Sequence, residues 1–185
     1  MTPPEEGGLG SSTVTPPEEG GLGPSTATPP DSSDPGKIDA GAAFHYRSLE
    51  RLYASAPINR MFHSTMGIAG AGRARIDFAI TPAMFHAAGA VHGTVYFKML
   101  DDAAFYAANT LVTDRFLLTT SFNLNFTRPV RSGVVTAQGR WISGRRRVLV
   151  AESWLLDDEG EMIGRGTGTF MRSHIALSGL PGYAG

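Results

Sequence analysis

Between Gly89 and Asn109 the segment GAVHGTVYFKMLDDAAFYAAN sets two adjacent acids, Asp101 and Asp102, inside an almost wholly apolar run that opens on Gly93. Its pattern predicts a helix from about Gly93 to Leu111 with no wide polar face, and a helix that is apolar on all sides is normally buried. Buried carboxylates are costly unless they are paired or used in chemistry such as proton transfer. The two acids need not share one explanation, because adjacent helical residues point about 100° apart. Lys98 precedes Asp102 by four residues and Asp101 by three, so it can pair with either. If Asp102 takes the lysine, Asp101 is left on a face with Thr94, Phe97, Ala104 and Phe105. A structural ion-pair network holding both acids satisfies the same pattern.

The elements that must position this helix come from the rest of the folded part. Ala40 to Ala54 reads as a surface helix with Asp39 as its N-cap, stopping before Pro57. Thr65 to Ala69 and Arg73 to Ile80 read as two strands joined at Gly70-Ala71-Gly72, with Ala74, Ile76, Phe78 and Ile80 alternating against Arg75, Asp77 and Ala79. After the apolar helix come four strand-like stretches: Phe116 to Thr127, Val134 to Ile142, Val148 to Leu156 and Met162 to Arg172. Short turns between neighbouring strands imply an antiparallel sheet. One buried helix and one long sheet cover each other's apolar faces, which gives an α+β layer architecture.

Residues 1–36 are of another kind. Thr2-Pro-Pro-Glu-Glu-Gly-Gly-Leu-Gly recurs from Thr15, and Thr28-Pro-Pro begins a third, shortened copy. The segment has no aromatic residue and is expected to be a disordered acidic tail, since it cannot bury enough apolar area to offset its ordering entropy. It lacks the basic start and apolar run of a secretory signal. A single folded domain is expected over residues 37–175, followed by a flexible C-terminus over 176–185. Six of the 17 acids lie in the tail, and all 16 Lys and Arg residues lie after it, so the remainder carries eleven acids and a net charge of five positive. That excess, gathered at Arg128, Arg131 and Arg145-Arg146-Arg147, suits an anionic ligand. No interleaving of basic and aromatic residues marks a nucleic-acid surface. With no cysteine, disulfides, thiolate metal sites and a cysteine nucleophile are excluded. The five histidines show no close ligand spacing, so no metal is expected, and no apolar run is long enough to span a bilayer. A cytoplasmic protein is the default expectation.

Four pieces of the folded part follow in order: Gly89-Ala-Val-His92-Gly93 followed by Asp101 and Ala103, then Leu124-Asn125-Phe126-Thr127-Arg128-Pro129-Val130, then Arg145-Arg146-Arg147-Val-Leu-Val-Ala-Glu152, and finally Asp158-Glu-Gly160 with Gly166-Thr167-Gly168-Thr169-Phe170. Together they resemble the hotdog-fold acyl-CoA thioesterases of the phenylacetate-pathway type, in which a sheet wraps a central helix. The resemblance covers about Ser64 to Arg172. It implies hydrolysis of an acyl-CoA thioester, with the Gly93 N–H on the carbonyl oxygen and Asp101 as base for water, or as a nucleophile through a covalent anhydride. Helix-end amides are unpaired and favour developing negative charge, which suits Gly93 to that role. An orienting residue in the loop before the helix, usually Asn in that family, is His86 here. The second glycine of the family's His-Gly-Gly is Thr94. His92 is expected to fix the loop, and the polar residue early in the next strand is Thr119. The resemblance also implies a homodimer or homotetramer with sites between subunits, and no cofactor beyond the coenzyme A of the substrate. The five arginines are candidates for its phosphates, since guanidinium forks match phosphate oxygens. Two alternatives remain open on the sequence: a non-hydrolytic acyl-CoA or small-ligand binding protein, favoured by His86 in place of Asn, and a hotdog hydratase or dehydratase that pairs His86 with Asp101 for proton transfer.

Overall fold

The computed structural model describes residues 40–184. The expected tail over residues 1–36 and the expected cap at Asp39 lie outside the described residues. Helix α1 (Ala40–Ser55) leads through a short 3-10 segment (Pro57–Met61) into the hairpin of β1 (Ser64–Gly70) and β2 (Arg73–Ala79). A loop then delivers helix α2 (Gly93–Asn109), and strands β3 (Arg115–Phe126), β4 (Val134–Ser143), β5 (Val148–Leu156) and β6 (Met162–Ala176) follow. Among the described residues these six strands form one antiparallel sheet in the order β1-β2-β4-β5-β6-β3. This is the α+β hotdog architecture expected from the sequence.

The strands alternate as their sequences require. Ala74, Ile76 and Phe78 of β2 are buried, and so are Leu149, Ala151, Ser153 and Leu155 of β5, giving the sheet one apolar face. Helix α2 lies on that face, and Met99, Leu100, Ala103, Ala104, Ala107 and Ala108 are fully buried beneath it. The alanines let the helix sit close. A Cβ added to Gly139 of β4 would stand 1.9 Å from the Ala103 carbonyl oxygen, so helix and strand are nearly in backbone contact there. Ser153 Oγ of β5 donates to the Leu100 carbonyl oxygen at 2.7 Å, a second tie between helix and sheet.

Two ends differ from the sequence expectation. Helix α2 stops at Asn109 and does not reach Leu111, because the Asn109 side chain turns back to donate to the Val112 carbonyl at 2.9 Å. Of the segment 176–185 expected to be flexible, the described residues 176–184 are folded. Strand β6 continues past Arg172 to Ala176, which pairs with Arg115, and Leu177 and Tyr183 are buried. The anchor is His45 of α1, whose Nδ1 accepts from the Tyr183 hydroxyl at 2.7 Å and whose Nε2 donates to the Asn109 carbonyl at 3.0 Å. A partner 138 residues away leaves no local signal in the sequence.

Candidate functional site

The two acids of α2 part as helix geometry requires. Asp102 pairs with Lys98 one turn earlier. Lys98 is buried, donates also to Asn59 Oδ1 at 2.6 Å, and lies over the rings of Tyr53 and Phe62 at 5.5 and 5.1 Å. Asn59 in turn donates to the Tyr53 carbonyl at 2.6 Å, so the 3-10 segment is tied to the charge pair. Asn59 was invisible to sequence reasoning, because its role depends on a lysine 39 positions later and on no periodic pattern.

Asp101 is held differently. Its Oδ1 accepts from Thr119 Oγ1 of β3 at 2.9 Å, and its carboxyl is pushed up to about 6. Burial is the main cause and the charge of Asp102 adds to it, while the Thr119 hydrogen bond and Lys98 pull the other way. Burial also raises Asp102, against the pull of Lys98. Asp101, Thr119, Asn59, Ile58 and Phe105 open onto a cavity of about 280 Å³. A carboxylate titrating near neutrality at the edge of an apolar cavity has the property a general base for water needs.

The N-terminal end of α2 holds a second group of residues. His92 is the N-cap: its Nδ1 accepts from the Thr94 amide at 3.1 Å and lies 2.9 Å from the Thr94 hydroxyl. The Val95 amide bonds the His92 carbonyl, and the Gly93 amide has no acceptor among the described residues. It is the free donor at the positive end of the helix dipole. Gly93 also lies against Phe126, whose Cε2 would be 3.1 Å from an added Cβ. His86 stands in the preceding turn with its ring 6.5 Å from that of His92. Its Nδ1 accepts from the Ala88 amide at 3.0 Å, which places the proton of the neutral ring on Nε2.

One chain does not bring these two groups together. Gly93 and Asp101 lie eight residues apart on one straight helix, roughly 12 Å at 1.5 Å per residue. The five arginines are divided in the same way. Thr119, Phe170 and Leu149 stand in one row across β3, β6 and β5, so the turn bearing Arg145, Arg146 and Arg147 closes the end of the sheet nearest Asp101. Arg146 and Arg147 have no carboxylate partner among the described residues, and Arg145 stacks on Trp141 at 5.1 Å. Arg128 and Arg131 follow β3 at its far end, beyond Phe126. Arg128 already meets Asp157 at 3.4 Å and Glu161 at 3.8 Å.

The comparisons with known proteins agree with this architecture. Residues 88–163, which span α2 to the start of β6, match the Thioesterase superfamily. A candidate esterase of Saccharolobus solfataricus is 28% identical over 100 residues, covering 54% of this chain and 67% of that protein. Among solved structures, the E. coli PaaI protein from the phenylacetic acid degradation operon aligns with TM-score 0.67 at 15% identity, over 73% of this chain and 97% of PaaI. A thioesterase of Haemophilus influenzae aligns with TM-score 0.61 at 19% identity, over 66% of this chain and 86% of that one. At these identities the structures establish the fold, and the family match lies on the segment that carries Gly93 and Asp101. Residues 88–163 match the thioesterase superfamily, and the chain has the hotdog fold that PaaI shows.

Proposed function

We propose that this chain hydrolyses acyl-CoA thioesters at a site completed by a second copy of itself. The observation that carries the reading is the raised carboxyl of Asp101 at the cavity edge, on the segment matched to the thioesterase superfamily. Asp101 takes a proton from water, which attacks the thioester carbonyl. The C–S bond then breaks, the proton held by Asp101 passes to the sulfur, and coenzyme A leaves as the thiol. The oxyanion formed on the way needs a donor within about 3 Å, and the Gly93 amide is free for it. The separation of roughly 12 Å along α2 is too long for one copy to supply both groups to one carbonyl, which supports an amide from the other copy. An antiparallel pairing of two α2 helices places each Gly93 opposite the other copy's Asp101.

The surface supports such a pairing. Strand β3 is twelve residues long and ends the sheet, leaving a row of backbone groups for another strand. Leu118 and Phe126 on β3 and Phe97 on α2 are exposed. Large apolar side chains left exposed along an edge strand and its neighbouring helix suit an interface. In the same reading His86 donates from Nε2 to orient water or carbonyl, as an amide would, and His92 holds the helix entrance with Thr94. Arg146 and Arg147, near the Asp101 end and without acids of their own, receive the CoA phosphates, with Arg145 beside them. Arg128, engaged with Asp157 and Glu161, and Arg131 lie at the other end, so they serve only where the second copy brings them across. A non-hydrolytic binding protein is the competing reading, and His86 in place of the family's Asn is the observation in its favour. Thiol release from a panel of acyl-CoA substrates, with wild type and Asp101→Asn, tests the proposal. Turnover in wild type and its loss in the variant are expected; bound acyl-CoA with no thiol released would establish the competing reading.

A further inference from the structure

The cavity at Asp101 does not end where the chemistry does. Ala56, Tyr106 and Phe116 line it and also line a second, more apolar groove of about 410 Å³, so the two adjoin through those three residues. The groove runs on between the end of α1, Ile175 of β6 and the turn Leu180-Pro181-Gly182. Beyond the Tyr106 and Phe116 rings at the junction its walls are aliphatic side chains, prolines and Gly182, with Ser55 the polar residue among them, and the carboxylate without an ion-pair partner is at the Asp101 mouth.

The far wall is firmly held. The Tyr183 hydroxyl donates to His45 at 2.7 Å, and Arg51 Nη2 donates to the Tyr183 carbonyl oxygen at 3.1 Å. Gly182 packs so tightly on α1 that an added Cβ would stand 2.0 Å from Ser55 Oγ. The segment from Leu180 to Tyr183 is thus a fixed stop at the far end of a passage that begins at the Asp101 carboxylate. Ala56, at the junction, is the smallest of the three shared residues, and a larger side chain there would stand in the passage.

We propose that this passage is the acyl-tail site and takes a medium-length aliphatic chain, with Ala56 as its gate and Leu180 as its stop. This rests on the thioesterase reading above, since the carbonyl must sit at Asp101 for the tail to enter. A compact aryl group would fill the first cavity and leave the groove beyond Ala56 without a role. Apolar sites discriminate single methylene groups by about tenfold or more, so an added wall residue changes chain preference measurably.

The test uses the full-length protein, acetyl-, hexanoyl-, decanoyl- and benzoyl-CoA for turnover, and decanoate for direct calorimetric binding. Wild type is expected to favour hexanoyl- or decanoyl-CoA over acetyl- and benzoyl-CoA. In Ala56→Phe the decanoyl-to-acetyl ratio of kcat/KM should fall about tenfold or more, with a matching loss of decanoate affinity. Leu180→Ala should shift the preference toward longer chains. Unchanged chain profiles and decanoate affinity in both variants would overturn the proposal, as would a benzoyl-CoA preference that Ala56→Phe leaves in place. If wild type releases no thiol yet binds decanoate, and Ala56→Phe abolishes that binding, the hydrolytic reading falls while the tail site stands. Absence of both turnover and decanoate binding removes both.

Discussion

Thr119 Oγ1 of β3 donates to Asp101 Oδ1 of α2 at 2.9 Å, so the carboxylate best placed for chemistry is oriented by a residue 18 positions away on the edge strand. The hydrogen bond stabilises the charged form and partly offsets the burial that raises Asp101 to about 6. Thr119→Val should therefore move the ascending limb of the pH–rate profile to higher pH while leaving the plateau rate within about tenfold. Kinetics from pH 5 to 8 read this directly; an unmoved limb would show that the hydroxyl does not set the carboxylate.

Asp101→Asn should lower kcat by about 10² or more, the scale of a lost general base. It should also be more stable than wild type at pH 8. The folded state holds Asp101 at about 6 against an ordinary value of 3.8, so it favours the protonated form. The stability this group contributes is present below about pH 4 and is lost as pH rises through 6. The amide keeps the uncharged state at all pH values, so Tm should rise by roughly 5–10 °C at pH 8 and by nothing at pH 4. Equal melting temperatures at both pH values would show that the carboxyl is not held up by burial.

Asp102→Asn should act on stability and on the Asp101 titration, with the chemistry itself intact. It removes the acid that pairs with buried Lys98, and it removes a negative charge that raises Asp101. Tm should fall at neutral pH, and the rate limb should shift to lower pH. Losses of kcat as large as those in Asp101→Asn, in a folded protein, would reverse the assignment of the two acids.

His86→Asn should retain substantial activity. The Ala88 amide occupies Nδ1 and leaves Nε2 as a donor, and an Asn side chain can donate as well. Complete loss, with a wild-type rate that rises with the titration of a histidine, would make His86 the base instead.

Gly139→Ala should destabilise the fold by about 1–3 kcal/mol or more, because the new Cβ would overlap the Ala103 carbonyl oxygen and force α2 off the sheet. Chemical denaturation measures it, and a change below about 0.5 kcal/mol would mean the helix moves away at little cost.

Local patterns determined much of this molecule. The period-two alternation of Ala74, Ile76 and Phe78 marked strand β2 and its buried face, and the unbroken apolar run after Gly93 marked a central helix, because burial on a strand or helix writes its period into nearby residues. The same local geometry separated Asp101 from Asp102, and Lys98 four residues earlier found Asp102 as the spacing allowed. The order of four short motifs was enough to anticipate the hotdog fold. What local patterns could not carry was contact between distant segments. Asn59 under Lys98, Thr119 on Asp101, and His45 holding Tyr183 are single polar side chains whose partners lie 39, 18 and 138 residues away. A hydrogen bond of that range leaves no periodicity and no composition signal. For the same reason the C-terminus looked free in sequence. Only the hold of α1 on Tyr183 turned Leu180, Pro181 and Gly182 into part of the wall beside the candidate site.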